Sequence, residues 1–219
     1  MTELARHLVD LVLHLDRHLQ AVMAHYGLWT YALLFFIIFA ETGFVVTPFL
    51  PGDSLLFAAG ALCAGSVLNV HVLALALCAA AVLGNLLNYA IGSWAGPRVF
   101  KRQDSWLLRK RHLERAHAFF EKFGGRSIVL SRFVPVVRTF VPFVAGVARM
   151  PFPRFFVFNL FGGCSWVCLL TYLGYFFGGT ALVRNNFSLA IVAIIGISML
   201  PIVFEAVRAC RSSRPASAG

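Results

Sequence analysis

Glu41, Asp53, Arg132 and Arg138 stand inside the most apolar stretches of this chain, with two carboxyls in the first half and two guanidiniums in the second. Each pair is flanked by helix-disrupting residues: Pro48, Pro51 and Gly52 beside the acids, and Pro135, Pro142 and Gly146 beside the bases. A charge at bilayer depth costs about 2.5–3.5 kcal/mol on insertion scales, so such groups persist where they pair, line water or hold a substrate. Guanidinium offers a planar fork that grips phosphate oxygens bidentately and stays charged. Burial favours a neutral carboxyl and a neighbouring arginine favours an ionised one, a competition suited to proton carriage. Arg132 and Arg138 are therefore the candidate phosphate ligands, Glu41 and Asp53 the candidate proton carriers. Backbone N–H groups freed near Pro135 can add donors to an anion.

The elements that must position these groups belong to a membrane protein. The chain is 59% hydrophobic and only 13% charged, with mean hydropathy +0.79 and 22 Phe, a composition that excludes an ordinary soluble domain. With roughly 20 residues per span, 219 residues hold about four to six embedded segments in a single domain. The net charge of +10 does not imply nucleic acid: nine of the 19 Lys and Arg fall within 98–126, between apolar runs, as in a cytoplasmic loop obeying the positive-inside rule.

The expected order begins with an interfacial amphipathic helix over 1–27, where Leu4, Leu8, Leu11, Leu15 and Val22 share a face and no cleavable signal-peptide pattern is present. His7, His14, His18 and His25 line the edge of that face, which suits the headgroup boundary better than a metal or a pH sensor. The first repeat, 28–97, comprises a crossing over 28–47, a broken re-entrant element resuming at 55–64, and a full crossing at 70–95 with Gly92 and Gly96 at its end. A basic linker (98–126) follows, amphipathic through Leu113, Ala116, Phe119, Phe120 and Phe123. The second repeat, 127–180, carries a broken element at 128–146 and a crossing at 152–178 that ends on Gly174 and Gly178 beside Tyr172, echoing Tyr89, Gly92 and Gly96. A last span (187–208) and a basic tail (209–219) complete the chain. With the linker and tail both inside, the two broken elements enter from opposite faces, and both termini are cytoplasmic. The expected fold is thus an all-α polytopic membrane protein, an inverted repeat whose re-entrant hairpins meet near the bilayer midplane.

The five cysteines are odd in number, lack any CxxC spacing and read as small core residues, so neither a metal nor another cofactor is expected. Trp29, Trp94, Trp106 and Tyr175 are candidate boundary anchors, and Asn88, Tyr89, Asn159 and Ser165 candidate interhelical hydrogen-bonding groups.

In order along the chain, Glu41-Thr42-Gly43, Pro48-Phe49-Leu50-Pro51-Gly52-Asp53, Phe119-Phe120-Glu121-Lys122-Phe123-Gly124-Gly125, and Arg132-Phe133-Val134-Pro135-Val136-Val137-Arg138-Thr139-Phe140-Val141-Pro142-Phe143-Val144-Ala145-Gly146 resemble the bacterial DedA family. The resemblance implies an inner-membrane protein of the VTT superfamily, related to lipid scramblases and to proteins described as SNARE-associated. It implies translocation of undecaprenyl phosphate or phosphatidylethanolamine and roles in membrane potential, cell division and resistance to cationic peptides. The family's two acids and two arginines fall on Glu41, Asp53, Arg132 and Arg138. Where many relatives have Gly-Asp, this chain has Gly84-Asn85, and Asn cannot ionise.

The expected activity is proton-motive-force-dependent flipping or scrambling of a phosphate-bearing lipid, with membrane lipids and protons as partners; a homodimer is a further expectation. Three other readings compete. The four charges could be buried ion pairs that only fix the fold; Glu41 and Asp53 could bind small cations or drugs for proton-coupled export; the basic linker could hold anionic lipid for a scaffold. An enzyme such as a lipid phosphatase is not expected, since no histidine lies near the arginine segments.

Overall fold

A computed structural model describes residues 27–44, 52–66, 68–95, 117–118, 120–133, 135–178 and 180, and every regular element among them is helical. These elements are α1 (Trp29–Gly43), α2 (Gly52–Cys63), α3 (Val70–Ala95), α4 (Arg126–Leu130) followed by a 3-10 turn (Ser131–Phe133), α5 (Pro135–Val147) and α6 (Phe152–Gly178). The expectations for the N-terminal helix and its histidines, most of the basic linker, Pro48 and Pro51, the last span and the tail lie outside the described residues.

Helices α3 and α6 have 26 and 27 residues and are long and apolar enough to cross a membrane. At 1.5 Å per residue they span about 40 Å, more than the roughly 30 Å hydrocarbon layer. Their limits coincide with the two full crossings expected from the sequence. Local chemistry explains where α3 starts: Asn69 Oδ1 accepts the amides of His71 (2.8 Å) and Val72 (3.4 Å), a side-chain N-cap.

The first half departs from expectation. No single helix runs over 28–47: α1 has 15 residues and stops at Gly43, with Phe44 already extended at φ −103°, ψ 123°. The cause is written just downstream, where β-branched Val45, Val46 and Thr47 precede Pro48, and a residue before proline is disfavoured in helical geometry.

The second half is interrupted within 128–146, as expected of a broken element, but not at both of its prolines. Pro135 opens α5, where its missing N–H costs nothing, but Pro142 does not break the chain; α5 runs through it to Val147. Pro142 removes only the amide that would bond the Arg138 carbonyl, and such a defect is tolerated where neighbouring helices enclose it. The irregular stretch falls instead at the 3-10 turn carrying Arg132. α5 ends in a Schellman-type turn: the Arg149 amide bonds Gly146 O (2.9 Å), the Met150 amide bonds Ala145 O (3.0 Å), and Arg149 takes φ 52°.

The packing is crossed between the halves: α2 lies on α6 and α5 lies on α3, while α1 packs on α3 and α4 on α6. Glycines make this possible. Gly60 abuts the Thr171 carbonyl and Gly174 the Phe57 carbonyl; in the same way Gly146 abuts the Tyr89 carbonyl and Gly92 the Phe143 carbonyl. A Cβ at any of the four would overlap backbone. The matching pieces of sequence are Phe57-Ala58-Ala59-Gly60 and Phe143-Val144-Ala145-Gly146. This register pairs Tyr89 with Thr171, one residue away from the Tyr172 that the sequence pattern suggested.

Helices α3 and α6 run antiparallel. His71 meets Tyr172, Cys78 meets Cys168, Gly163 faces Val82, and Asn85 meets Asn159. Cys63, Cys78, Cys164 and Cys168 are free thiols. Apolar side chains close the interior in two groups, one around Leu34, Ile38, Leu56, Leu73 and Leu77, the other around Ile128, Val141, Val144 and Phe155.

Candidate functional site

The end of α1, the start of α2, the 3-10 turn and the start of α5 converge on the faces of α3 and α6, and each brings one of the four ionisable residues. Glu41 is 1% exposed, Arg132 3% and Arg138 7%. Arg138 reaches across from α5 to both acids: Nη2 donates to Glu41 Oε1 and Nη1 donates to Asp53 Oδ1 at 2.7 Å. Glu41 also sits at the N-terminus of α2, against Gly52, where a Cβ would fall on the carboxylate. Helix N-termini stabilise such an anion, and Gly52 is what lets it approach. Glu41 Oε2 is buried without a hydrogen-bond partner among the described residues.

Arg132 is placed differently. Among the described residues it pairs with no carboxylate; its Nη2 donates to Asn159 Oδ1 at 3.1 Å, and its guanidinium lies 5.7 Å from the Trp166 ring centroid. Asn159 Oδ1 also accepts Asn85 Nδ2 at 2.6 Å, and Asn159 Nδ2 donates to Val82 O at 3.0 Å. Among the described residues the two acids thus neutralise Arg138 alone. One guanidinium is doubly compensated, and the other is buried among amides.

Three residues escaped the sequence reading or were undervalued by it. Trp166 donates Nε1–H to Asp53 Oδ1 at 2.9 Å and lays its ring 4.9 Å from the Arg138 guanidinium, so it touches three of the four charges. A signal existed: a tryptophan in the middle of a 27-residue apolar helix needs a buried acceptor for its N–H. Asn159 and Asn88 read as ordinary interhelical groups, yet both serve the site. Asn88 Nδ2 bonds Thr139 O (2.8 Å) and Thr42 O (3.3 Å), the residues next to Arg138 and Glu41, and so pins their backbones to α3.

The proline and glycine expectations divide accordingly. Gly52 and Gly146 serve close approach, Pro135 starts α5, and Pro142 lies within a continuous helix. Among the described residues no group of three or more His, Cys, Asp or Glu is arranged to hold a metal.

Comparison with known proteins agrees with this architecture. The VTT domain family matches residues 50–176, a stretch containing Asp53, Arg132 and Arg138. The chain is 49% identical over 212 residues to Protein DedA of Escherichia coli, covering 96% of this chain and 97% of that one. It is 46% identical over 182 residues to an uncharacterized membrane protein of Mycobacterium tuberculosis, covering 82% and 80%. Inner membrane protein YqjA of Escherichia coli is 39% identical over 152 residues, 68% of each chain. No solved structure matches. The chain belongs to the DedA family of VTT-domain membrane proteins.

Proposed function

We propose that this protein is an inner-membrane lipid transporter, a flippase or scramblase that carries a phosphate-bearing lipid such as undecaprenyl phosphate or a phospholipid, coupled to protons. One observation carries the reading: among the described residues Arg138 is held by two carboxylates while Arg132, also buried, has none. A desolvated cation without a counter-ion costs several kcal/mol, so a set of charges serving only the fold would pair each arginine. Arg132 instead keeps an unmet demand for an anion. The likeness to YqjA, whose name places it in the inner membrane, supports the location.

The antiparallel α3 and α6, with matched hairpin contacts on each, support an inverted repeat whose broken elements enter from opposite faces. The acids then come from one repeat and the bases from the other. In this mechanism a phosphate headgroup engages Arg132 and competes with the carboxylates for Arg138. The displaced carboxylates of Glu41 and Asp53 take protons, and the two hairpins rock on their glycine contacts to change which face is open. Proton and lipid move together. Export of a small cation fits less well, because both carboxylates are already engaged by Arg138.

Proteoliposomes test this directly. The wild-type protein is expected to translocate labelled undecaprenyl phosphate or phospholipid, and the Arg138→Ala and Glu41→Gln proteins to lose most of that rate. Exchanging the charges in Glu41→Arg/Arg138→Glu restores an ion pair but not transport. Equal rates in wild type and variants, or recovery by the exchange, would refute the reading.

A further inference from the structure

Among the described residues Arg132 is bonded by an amide and by no carboxylate, and its neighbours explain why. On α6, Asn159 offers one oxygen to two donors, Arg132 Nη2 at 3.1 Å and Asn85 Nδ2 at 2.6 Å, and its own amide nitrogen is fixed to Val82 O. Asn85 and Asn159 are 1% and 0% exposed. Both positions are therefore dry, within one or two hydrogen bonds of the guanidinium, and occupied by side chains that cannot ionise. Among the described residues, the charged groups facing this cluster are Glu41 from α1, Asp53 from α2, Arg132 from the 3-10 turn and Arg138 from α5; α6 adds Asn159, Trp166 and the Cys164 thiol.

Resting on the transport reading above, we propose that Asn85 and Asn159 are specificity-determining residues that leave Arg132 open to a phosphate-ester anion without requiring a proton of its own. The shared oxygen of Asn159 orients the fork and contributes no net charge. A carboxylate at position 85 or 159 would take up the guanidinium, and an incoming phosphate would have to displace it, adding one protonation to the binding event. The amides thus confine proton coupling to Glu41 and Asp53, the two carboxylates that engage Arg138. The number of protons that accompany one headgroup can be counted.

Binding of farnesyl phosphate to the full-length protein in detergent, measured from pH 6 to 8.5, gives that count, with farnesol and inorganic phosphate as parallel probes. Wild type is expected to prefer farnesyl phosphate to farnesol. Asn85→Asp is expected to bind at least about tenfold more weakly at pH 8.5 and to converge on wild type as the pH falls, because one added proton per ligand changes affinity about tenfold per pH unit. Titration of the ligand itself cancels in the comparison. Asn159→Asp should behave alike and serves if Asn85→Asp does not fold; Asn85→Ser, neutral, should run parallel to wild type. Comparable competition by inorganic phosphate would assign the subsite to the free anion, and weak competition to the lipid-borne one; either is a phosphate at Arg132. A Kd-versus-pH line for the Asp variants parallel to wild type overturns the proposal while leaving transport intact. Loss of the preference over farnesol in wild type overturns the transport reading and this inference with it.

Discussion

At the scale of single residues, the site is an asymmetric answer to a balanced set of charges. Two acids and two arginines were legible in the sequence because charge inside apolar runs is conspicuous, and the structure brings all four to one locus. Which acid meets which base was not legible: it depends on the crossing of α3 and α6, which sets Trp166 and Asn159 between residues separated by scores of positions in the chain. Breaking a buried pair by removing one partner leaves an unpaired charge and costs about 3–5 kcal/mol, whereas neutralising the whole pair can leave stability nearly unchanged. Arg138→Ala is therefore expected to lower thermal stability markedly. The neutral triple variant Glu41→Gln/Asp53→Asn/Arg138→Gln is expected to melt within a few degrees of wild type yet translocate no lipid. Melting curves and transport rates on the same preparations separate the two effects, and a triple variant with wild-type transport would show that the trio serves only the fold.

At the scale of elements, the two long helices were legible to the residue because uninterrupted apolar runs with a polar cap allow few alternatives. The short ones were not. The prolines marked 128–146 as broken without locating the break, which falls at the 3-10 turn while α5 runs through Pro142, and the apolar run over 28–47 extends past Gly43, where α1 ends. Glycine spacing at Gly92, Gly174 and Gly178 signalled close packing, but the partner helices were hidden because α2 packs on α6 and α5 on α3, each across from the other half of the chain. This arrangement gives a graded prediction. Gly174→Ala and Gly92→Ala force a methyl into a facing carbonyl and are expected to destabilise by about 1–3 kcal/mol each. Gly65→Ala, in open space on the α2–α3 turn, should be neutral. Thermal melting in detergent reads all three, and equal melting of all variants would contradict the backbone contacts.

At the scale of the whole molecule, the antiparallel α3 and α6 put the α2–α3 turn and the α5–α6 turn at opposite ends of the helix pair, and the proposed topology sets these ends on opposite sides of the membrane. Cysteines introduced at Ser66 and Ala148 in a cysteine-free background should react with an impermeant maleimide from opposite faces, Ser66→Cys from outside and Ala148→Cys only after the inner face is opened. Labelling from the same side would end the opposed-hairpin topology. The central claim is that a phosphate headgroup and a proton travel through this site together. Its most direct measurement is the initial rate of labelled undecaprenyl phosphate translocation in proteoliposomes under an imposed pH gradient. Net movement is expected from the acidic to the alkaline side in wild type, reversing when the gradient is reversed, and Glu41→Gln is expected not to respond. A Glu41→Gln protein that follows the gradient as wild type does, or a wild type indifferent to it, would contradict the account.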